Sequence, residues 1–167
     1  MLDRRVCRLL FAVVAAACAD KSASTGDDTT HIMAFDTAQV RLAGRRDTIR
    51  LSLELARSPA QKTMGLMERR ALAENAGMLF VYDSTQAKDA GFWMYRTRIP
   101  LDIAYLDSTG AVRVILAMVP CTATLIDGCP SYPPNVPYRY ALEMNAGFFA
   151  RHGIGAGDVL LVGDLPR

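Results

Sequence analysis

The segment GFWMYRTRIPLDIAYLD, residues 91–107, is the stretch that most strongly indicates the fold of this chain. It holds the only tryptophan, Trp93, beside a methionine, and then an apolar run that carries a single acidic residue, Asp102. Short apolar runs separated by turn residues are typical of β-strands. We therefore predict two neighbouring strands in this stretch, at residues 92–97 and 101–106.

The flanking sequence shows the same pattern of short strands and turns. Residues 48–55 alternate between apolar and polar side chains, and a turn at 44–47 joins them to residues 38–43, which predicts a hairpin with one solvated face. A turn at residues 108–110 predicts a second hairpin. The further strands predicted, with a polar loop at 84–90, are 78–82, 111–119, 138–144 and 158–162.

Capping patterns predict two short helices among these strands. Ser58 is suited to be the N-cap of the first helix, Pro59 its first residue and Gln61 the partner in a capping box, and Gly65 should end it. The second helix is predicted at residues 146–152, with Asn145 as its cap. Together the elements predict an α+β fold, a single compact domain at residues 34–167. Its sheet should be mainly antiparallel or barrel-like, with two short helices.

The first 18 residues have the composition of an export signal. Three arginines precede an apolar run at residues 9–17, which is too short to span a bilayer as a permanent helix. Cys18 follows three alanines and precedes a polar tract, as in the lipobox of bacterial lipoproteins. We therefore favour a lipoprotein that is lipidated at Cys18 and held on the periplasmic face of the envelope, at the outer membrane. A soluble secreted or periplasmic form, cut after a small residue, is the alternative.

Residues 19–33 are predicted to be a flexible tether. Their first part, ADKSASTGDDTT, is small and polar and cannot bury enough apolar surface to fold. Removal of the first 17 residues takes away three arginines and one aspartate, so the formal net charge falls from +2 to 0. The mature chain therefore has no excess of positive charge that would favour nucleic acid.

Cys121 and Cys129 are the only two cysteines in the predicted domain. In an oxidising compartment, an isolated pair of this kind is most often a disulfide. A metal site or a redox pair is the competing interpretation, but the sequence has no CxxC and no nearby histidine. We predict a structural disulfide.

Several ordered blocks of the domain resemble a known family, the bacterial and archaeal domain-of-unknown-function family 192. The blocks are GLMERRAL (65–72), GMLFVY (77–82), FWMYRTRIPLDIAYLD (92–107), YALEMNAG (140–147) and GIGAGD (153–158). The resemblance implies a compact, mainly antiparallel β-domain, often carried behind an export signal, and it implies no reaction. Tyr95 and Arg96 stand where the family more often has Lys and Asn.

Asp102 and Glu143 are the carboxylates to which the sequence draws attention, because each interrupts an apolar strand. A buried carboxylate needs a partner, and Arg69, Arg96 and Arg98 are the candidates for a structural ion pair. Alternatively, the two carboxylates could face one cavity, where one would titrate at high pH and act as an acid or base.

Methionines are the other unusual feature of the domain. Met67, Met78 and Met94 lie near Trp93 in the predicted elements, and thioethers bind soft Cu(I). Methionine is nevertheless above all an adaptable core residue. The chain has no GxSxG, Walker or HExxH motif, and its two histidines leave no evident base for a nucleophile.

The sequence predicts an exported, lipid-anchored binding or interaction module of the bacterial envelope, whose partner would be an unidentified ligand or envelope protein. We predict no cofactor, no bound metal and no nucleic-acid partner, and an enzyme is the less favoured class. The predicted site is a cleft beside Trp93, formed with Met67, Met78, Met94, Asp102 and Glu143. The two alternatives are a Cu(I)-binding protein that uses the three methionines and an enzyme that uses Asp102 with Glu143.

Overall fold

Nine strands and two short α-helices form the part of the chain that the structure, a computed structural model, describes, residues 33–166. The predicted export signal with Cys18, and residues 19–32 of the predicted tether, lie outside the described residues. Within the described range, no helix has the length and apolar character needed to cross a bilayer.

Seven of the strands make one sheet in the order β6-β5-β8-β3-β2-β1-β9. All neighbouring pairs are antiparallel except β2 and β3, which run parallel. The remaining strands, β4 and β7, form a two-stranded antiparallel sheet. In chain order, the strands are β1 (Asp36–Ala43), β2 (Thr48–Ala56), β3 (Ala76–Gln86), β4 (Phe92–Trp93), β5 (Leu101–Leu106), β6 (Val112–Met118), β7 (Ser131–Tyr132), β8 (Tyr138–Asn145) and β9 (Val159–Leu160).

The large sheet curls until its two edges meet. β9 pairs with β1 at one edge, and the same strand bridges to Ala111, next to β6 at the other edge. The backbone of Leu160 donates a 2.9 Å hydrogen bond to Gly110, and that of Val112 donates a 2.8 Å hydrogen bond to Asp158. The predicted α+β class, with a mainly antiparallel and barrel-like sheet, is confirmed.

The two faces of the curled sheet carry two separate apolar clusters. The first cluster packs the leucines of β1 and β2 against Phe148 and Phe149. The second cluster lies on the other face of β3, β5 and β8 and contains Met78, Phe80 and Tyr105. Because successive side chains of a strand point to opposite faces, neighbouring residues of β5 and β8 belong to different clusters.

The first helix follows its sequence pattern. In α1 (Pro59–Met64), Ser58 accepts a hydrogen bond from the backbone of Gln61, and the side chain of Gln61 accepts one from the backbone of Ser58. Gly65, at φ 49°, ends the helix as predicted. A glycine suits this position because other residues rarely adopt a positive φ.

The second helix is shorter than predicted. α2 covers only Phe148–Arg151, and its N-cap is Gly147 at φ 75° rather than Asn145. Asn145 is the last residue of β8, and its side-chain amide donates hydrogen bonds to the carbonyls of Leu72 and Ala73. It therefore anchors a loop instead of capping a helix.

Three predicted strand boundaries are also wrong, and the strand predicted at 158–162 covers only Val159–Leu160. The strand at 92–97 stops at Trp93, because a turn closed by a hydrogen bond from the Thr97 backbone to the Met94 carbonyl follows it, with Arg96 at φ 54°. β3 continues to Gln86, into the segment predicted as a loop. The hairpins β1–β2 and β5–β6 are present as predicted.

Candidate functional site

A cleft of about 200 Å³ opens beside Trp93, over the second apolar cluster. We call it the Glu143 cleft, after the carboxylate on its wall. Its lining combines α1 and the turn after it, the aromatic face of β3, and the segment around β4. The lining residues are Lys62, Thr63, Gly65, Leu66, Met67, Phe80, Tyr82, Gln86, Ala90, Gly91, Phe92, Trp93, Thr97, Tyr138 and Glu143.

The local sequence explains the aromatic wall. Phe80 and Tyr82 are two residues apart on β3 and therefore point to the same face, where Tyr138 of β8 and Phe92 of β4 meet them. The rings of Phe80 and Phe92 make an edge contact with centroids 4.7 Å apart. Tyr138 stands edge-on to Tyr82 at 5.7 Å. Such contacts hold the wall in one arrangement.

An ion-pair cluster ties the two rims of the cleft together. Glu68, in the turn after α1, receives side-chain hydrogen bonds from Arg96 at 2.8 Å and from Arg98 at 2.6 Å. Its backbone also donates to the Arg96 carbonyl at 2.8 Å. The hydrogen bonds from Arg96 and then Arg98 hold the pKa of the Glu68 carboxyl below its ordinary value. The cluster lies in the turns next to Met67 and Thr97, which both line the cleft.

Glu143 is a buried acid on the cleft wall. It is only 4% exposed, and its neighbours across the sheet are Met78 on β3 and Ile103 on β5. Among the described residues, no side chain or backbone N–H donates a hydrogen bond to its carboxylate. Burial raises the pKa of Glu143 to about 8, so the group is mostly protonated at neutral pH in the free protein.

The hydroxyl groups of Tyr105 and Tyr138 are engaged with backbone carbonyls. Tyr105 donates its hydroxyl hydrogen bond to the carbonyl of Tyr132, and Tyr138 donates to the carbonyl of Ala90 at 2.9 Å. Burial raises the pKa of Tyr82, Tyr105 and Tyr138, so these groups remain neutral. Glu143 therefore faces the cleft without a partner from the protein.

Asp102 does not belong to this cleft. The register pairs Asp102 with Met144 and Ile103 with Glu143, which places the two carboxylates on opposite faces of the sheet. Asp102 accepts a 2.8 Å hydrogen bond from the backbone of Gly147, at the start of α2. Burial raises the pKa of Asp102. The predicted acid/base pair of Asp102 and Glu143 in one cavity is therefore wrong.

The predicted ion pairs of these two carboxylates are also wrong. Arg69 binds Glu54 through two hydrogen bonds of 2.8 and 2.6 Å, and Arg96 and Arg98 both bind Glu68. Each of the three arginines is thus paired with an acid that the sequence analysis did not select. Glu54 and Glu68 stand on partly solvated positions, where an arginine can reach them without burial of its own charge.

The predicted methionine platform is only partly present. Trp93, 40% exposed, and Met67 lie on the cleft wall. Met78 and Met94 are fully buried in the second apolar cluster and do not line the cleft. Of the six predicted site residues, the structure therefore brings Met67, Trp93 and Glu143 together and leaves Met78, Met94 and Asp102 apart from them.

Sequence reasoning missed the aromatic wall and Lys62. The Lys62 ammonium lies over the ring of Tyr82, 4.5 Å from its centroid. Partial burial lowers the pKa of Lys62. The alternation of Met78, Phe80 and Tyr82 along β3 was the available signal for the wall, whereas nothing in the sequence pairs Lys62 with Tyr82.

The disulfide of the structure joins Cys121 and Cys129, whose Cα atoms are 5.7 Å apart. It closes a loop that leads from the end of β6 to β7, and β7 in turn pairs with β4 beside Trp93. No cluster of three or more histidine, cysteine, aspartate or glutamate side chains suited to a metal occurs in residues 33–166.

The fold and the cleft define a small curled-sheet domain with one buried acid in an aromatic cleft. The model of the family DUF192, described as "Uncharacterized ACR", matches residues 39–162. The chain belongs to this family, as the sequence blocks indicated. No protein with a curated description matches the chain.

Two solved structures share the fold. A proposed transcription regulator from Sinorhizobium meliloti 1021 is 35% identical, with a TM-score of 0.68 over 76% of this chain and 94% of that chain. A protein of unknown function from Novosphingobium aromaticivorans DSM 12444 is 31% identical, with a TM-score of 0.65 over 78% of this chain and 88% of that chain.

Proposed function

We propose that this chain is an exported, lipid-anchored module of the bacterial envelope that binds a small ligand in the Glu143 cleft. The observation that carries the binding proposal is Glu143, a buried acid with no partner among the described residues. Among the described residues, no buried side-chain nitrogen or oxygen atom lacks a hydrogen-bond partner, so the carboxylate oxygens of Glu143, which accept no hydrogen bond from these residues, open onto the cleft, where a ligand can reach them. A concave, mainly apolar wall with a few polar groups is the ordinary form of a small-molecule site.

The dimensions of the cleft support a small ligand. At about 200 Å³, it is smaller than the cavities that hold drug-sized molecules, and it suits a group of one ring or a short chain. Trp93 on its wall is the only tryptophan of the chain, so its fluorescence reports on this site alone.

The binding proposal is tested with a rim-blocking variant. Thr63 is exposed on α1 and lines the cleft, so Thr63→Phe places a ring over the opening, whereas Thr37→Phe adds the same ring to an exposed position of β1. A collection of small cations, neutral polyols and anions is screened against the full-length chain by Trp93 fluorescence. We expect compounds that bind the wild type and Thr37→Phe and bind Thr63→Phe at least tenfold more weakly. No binding from any class, or binding that Thr63→Phe leaves unchanged, would overturn the proposal.

The export proposal rests on the N-terminal sequence. Three arginines, an apolar run and three alanines before Cys18 form the pattern of a lipoprotein signal. The disulfide of the domain is compatible with an oxidising compartment. Lipidation at Cys18 would tether the domain through its acyl chains, and stable anchoring requires more than one chain.

Labelling with a palmitate analogue tests the anchor. Cells that make the wild type should incorporate the label into the chain, and cells that make Cys18→Ala should not. Cys7→Ala, which removes the other cysteine of the first 18 residues, is the matched control and should be labelled like the wild type. Equal labelling of the wild type and Cys18→Ala would exclude lipidation at Cys18.

The description of the Sinorhizobium meliloti protein does not lead us to propose gene regulation for this chain. Without its first 17 residues, the chain has a formal net charge of 0, whereas proteins that bind DNA neutralise phosphates with clustered lysines and arginines. Among the described residues, five arginines are moreover paired with carboxylates, Arg41, Arg69, Arg96, Arg98 and Arg113.

A further inference from the structure

Resting on the proposed function, we propose that the ligand of the Glu143 cleft is a small organic cation, an alkylammonium or guanidinium compound whose charged head pairs with the Glu143 carboxylate. Among the described residues, Glu143 is the only carboxylic acid that lines the cleft, and it is 4% exposed. A carboxylate in such a position is stabilised chiefly by a cation that reaches it.

No cation of the described residues supplies this partner. On the strands packed against Glu143, the titratable groups that face it are the phenols of Tyr82 on β3 and Tyr105 on β5. On β8 itself, Tyr138 is also neutral. Beyond β3, in the same cross-strand row as Met78 and Glu143, Glu54 is already neutralised by Arg69. The positive charge that would pair with the Glu143 carboxylate must therefore come from a ligand.

Lys62 is a cation that lines the cleft together with Glu143. Its ammonium lies over the ring of Tyr82, 4.5 Å from the centroid, and Asp83 favours its charged form. Neither Lys62 nor any other positive group contributes to the pKa of Glu143, which burial alone raises. Lys62 also shows that the aromatic wall accepts a cation against a ring face.

The aromatic wall suits the organic part of such a ligand. Phe80, Phe92, Trp93 and Tyr138 line the same cleft as Glu143. Ring faces attract cations, by about 0.5–1 kcal/mol at exposed sites and about 2 or more where water is excluded. A desolvated acid within an aromatic enclosure favours an organic cation over a strongly hydrated metal ion or an anion.

This pairing makes binding depend on pH. Burial raises the pKa of Glu143 to about 8, and a cation pairs with the ionised form. The apparent affinity is the intrinsic affinity multiplied by the ionised fraction. That fraction rises roughly 50-fold between pH 6 and pH 8, so the affinity for a cation should rise by about that factor.

The test uses methylguanidinium, which remains charged over this range, and N-methylurea, its neutral near-isostere. Each is titrated into the full-length chain at constant ionic strength, at pH 6 and pH 8, and Trp93 fluorescence is followed. The variants are Glu143→Gln and the exposed control Glu74→Gln. Circular dichroism at each pH establishes that Glu143→Gln is folded, and Glu143→Met, which cannot ionise either, serves in its place if it is not.

We expect methylguanidinium to bind the wild type and Glu74→Gln roughly 50-fold more tightly at pH 8 than at pH 6. Glu143→Gln should lose at least tenfold in affinity at pH 8 and should lose the pH dependence. N-methylurea should bind at least tenfold more weakly than methylguanidinium at pH 8.

Equal binding of N-methylurea, or methylguanidinium binding that is independent of pH or of Glu143, would overturn the cation proposal. If neutral compounds bind in a manner that Thr63→Phe blocks and methylguanidinium does not bind, the cleft remains a ligand site and only the cation proposal falls. If no compound of any class binds, both proposals fall together.

Discussion

Glu143 should make the stability of the folded domain depend on pH in an unusual direction. Its pKa is about 8 in the folded protein, above the ordinary value of 4.5, so the folded state binds more protons than the unfolded state between these values. The free energy of unfolding must then fall as pH rises from about 5 to about 8, by about 3.5 kcal/mol. This stability is fully present below the unfolded pKa and is lost as pH rises through the folded pKa.

The matched variant for this effect is Glu143→Gln, which cannot ionise. Denaturant unfolding at pH 5, 6.5 and 8 should show the wild type losing stability relative to Glu143→Gln, while Glu74→Gln follows the wild type. If the free energies of unfolding of the wild type and Glu143→Gln change with pH in parallel, Glu143 does not titrate in this range.

Gly77 is a second residue whose environment leads to a measurable expectation. A Cβ at this position of β3 would clash with the carbonyl oxygen of Glu143 and the sulfur of Met144 on β8. Gly77→Ala should therefore destabilise the domain by about 1–3 kcal/mol. Gly155→Ala is the control, because its Cβ would meet no atom within 4 Å. Equal midpoints of thermal unfolding for the two variants would contradict this packing.

The separation of Asp102 from Glu143 on opposite faces of the sheet could not be predicted from local sequence patterns. Both acids interrupt apolar strands, and that property was visible in the sequence. Which face each occupies depends on the register of β5 against β8, and a shift of one residue exchanges the faces. Register is fixed by the whole sheet, so no local pattern could have separated the two acids.

At the scale of elements, the disulfide loop is the clearest case for experiment. Cys121 and Cys129 are eight residues apart, and the loop-entropy relation gives about 2.5 kcal/mol for closing so short a loop. The double variant Cys121→Ser, Cys129→Ser should lose about this much stability in denaturant unfolding.

Reduction of the wild type should reproduce the loss, and a reducing agent should leave the double variant unchanged. Because β7 pairs with β4, the fluorescence of Trp93 should also shift in the native state of the double variant. If the double variant is as stable as the oxidised wild type, the predicted stabilisation by the disulfide is wrong.

Elements defined by local rules were the ones that the sequence predicted well. The capping box of Ser58 and Gln61 and the two hairpins depend on residues within a few positions of one another. The parallel pairing of β2 with β3 depends on residues more than 20 positions apart, and nothing local indicates it. Asn145 was misread because it is suited to both a helix cap and a strand end, and only the loop that it anchors decides between them.

At the scale of the whole molecule, the closure of the curled sheet depends on Gly110. Its φ of 87° is unfavourable for other residues, and a Cβ would clash with the carbonyl of Leu160 on β9. Gly110→Ala should open the contact between β9 and the start of β6, with loss of about 1–3 kcal/mol of stability.

Hydrogen exchange should locate that effect. The amides of Leu160 and Val112, which bond across the closure, should exchange faster in Gly110→Ala than in the wild type. Gly163→Ala, whose Cβ would meet nothing within 4 Å, should behave like the wild type. Unchanged protection of Leu160 and Val112 would show that the closure does not depend on Gly110.

The central claim for the whole molecule is that it binds its ligand at a buried acid. This claim depends most directly on the ionisation of Glu143. Carbon-13 NMR of the glutamate side-chain carboxyls, with Glu143→Gln for assignment, measures this ionisation against pH in the full-length chain. We predict a midpoint near pH 8 in the free protein and a clear downward shift when methylguanidinium is present. A midpoint at the ordinary value of 4.5, unmoved by methylguanidinium, would contradict the proposed site.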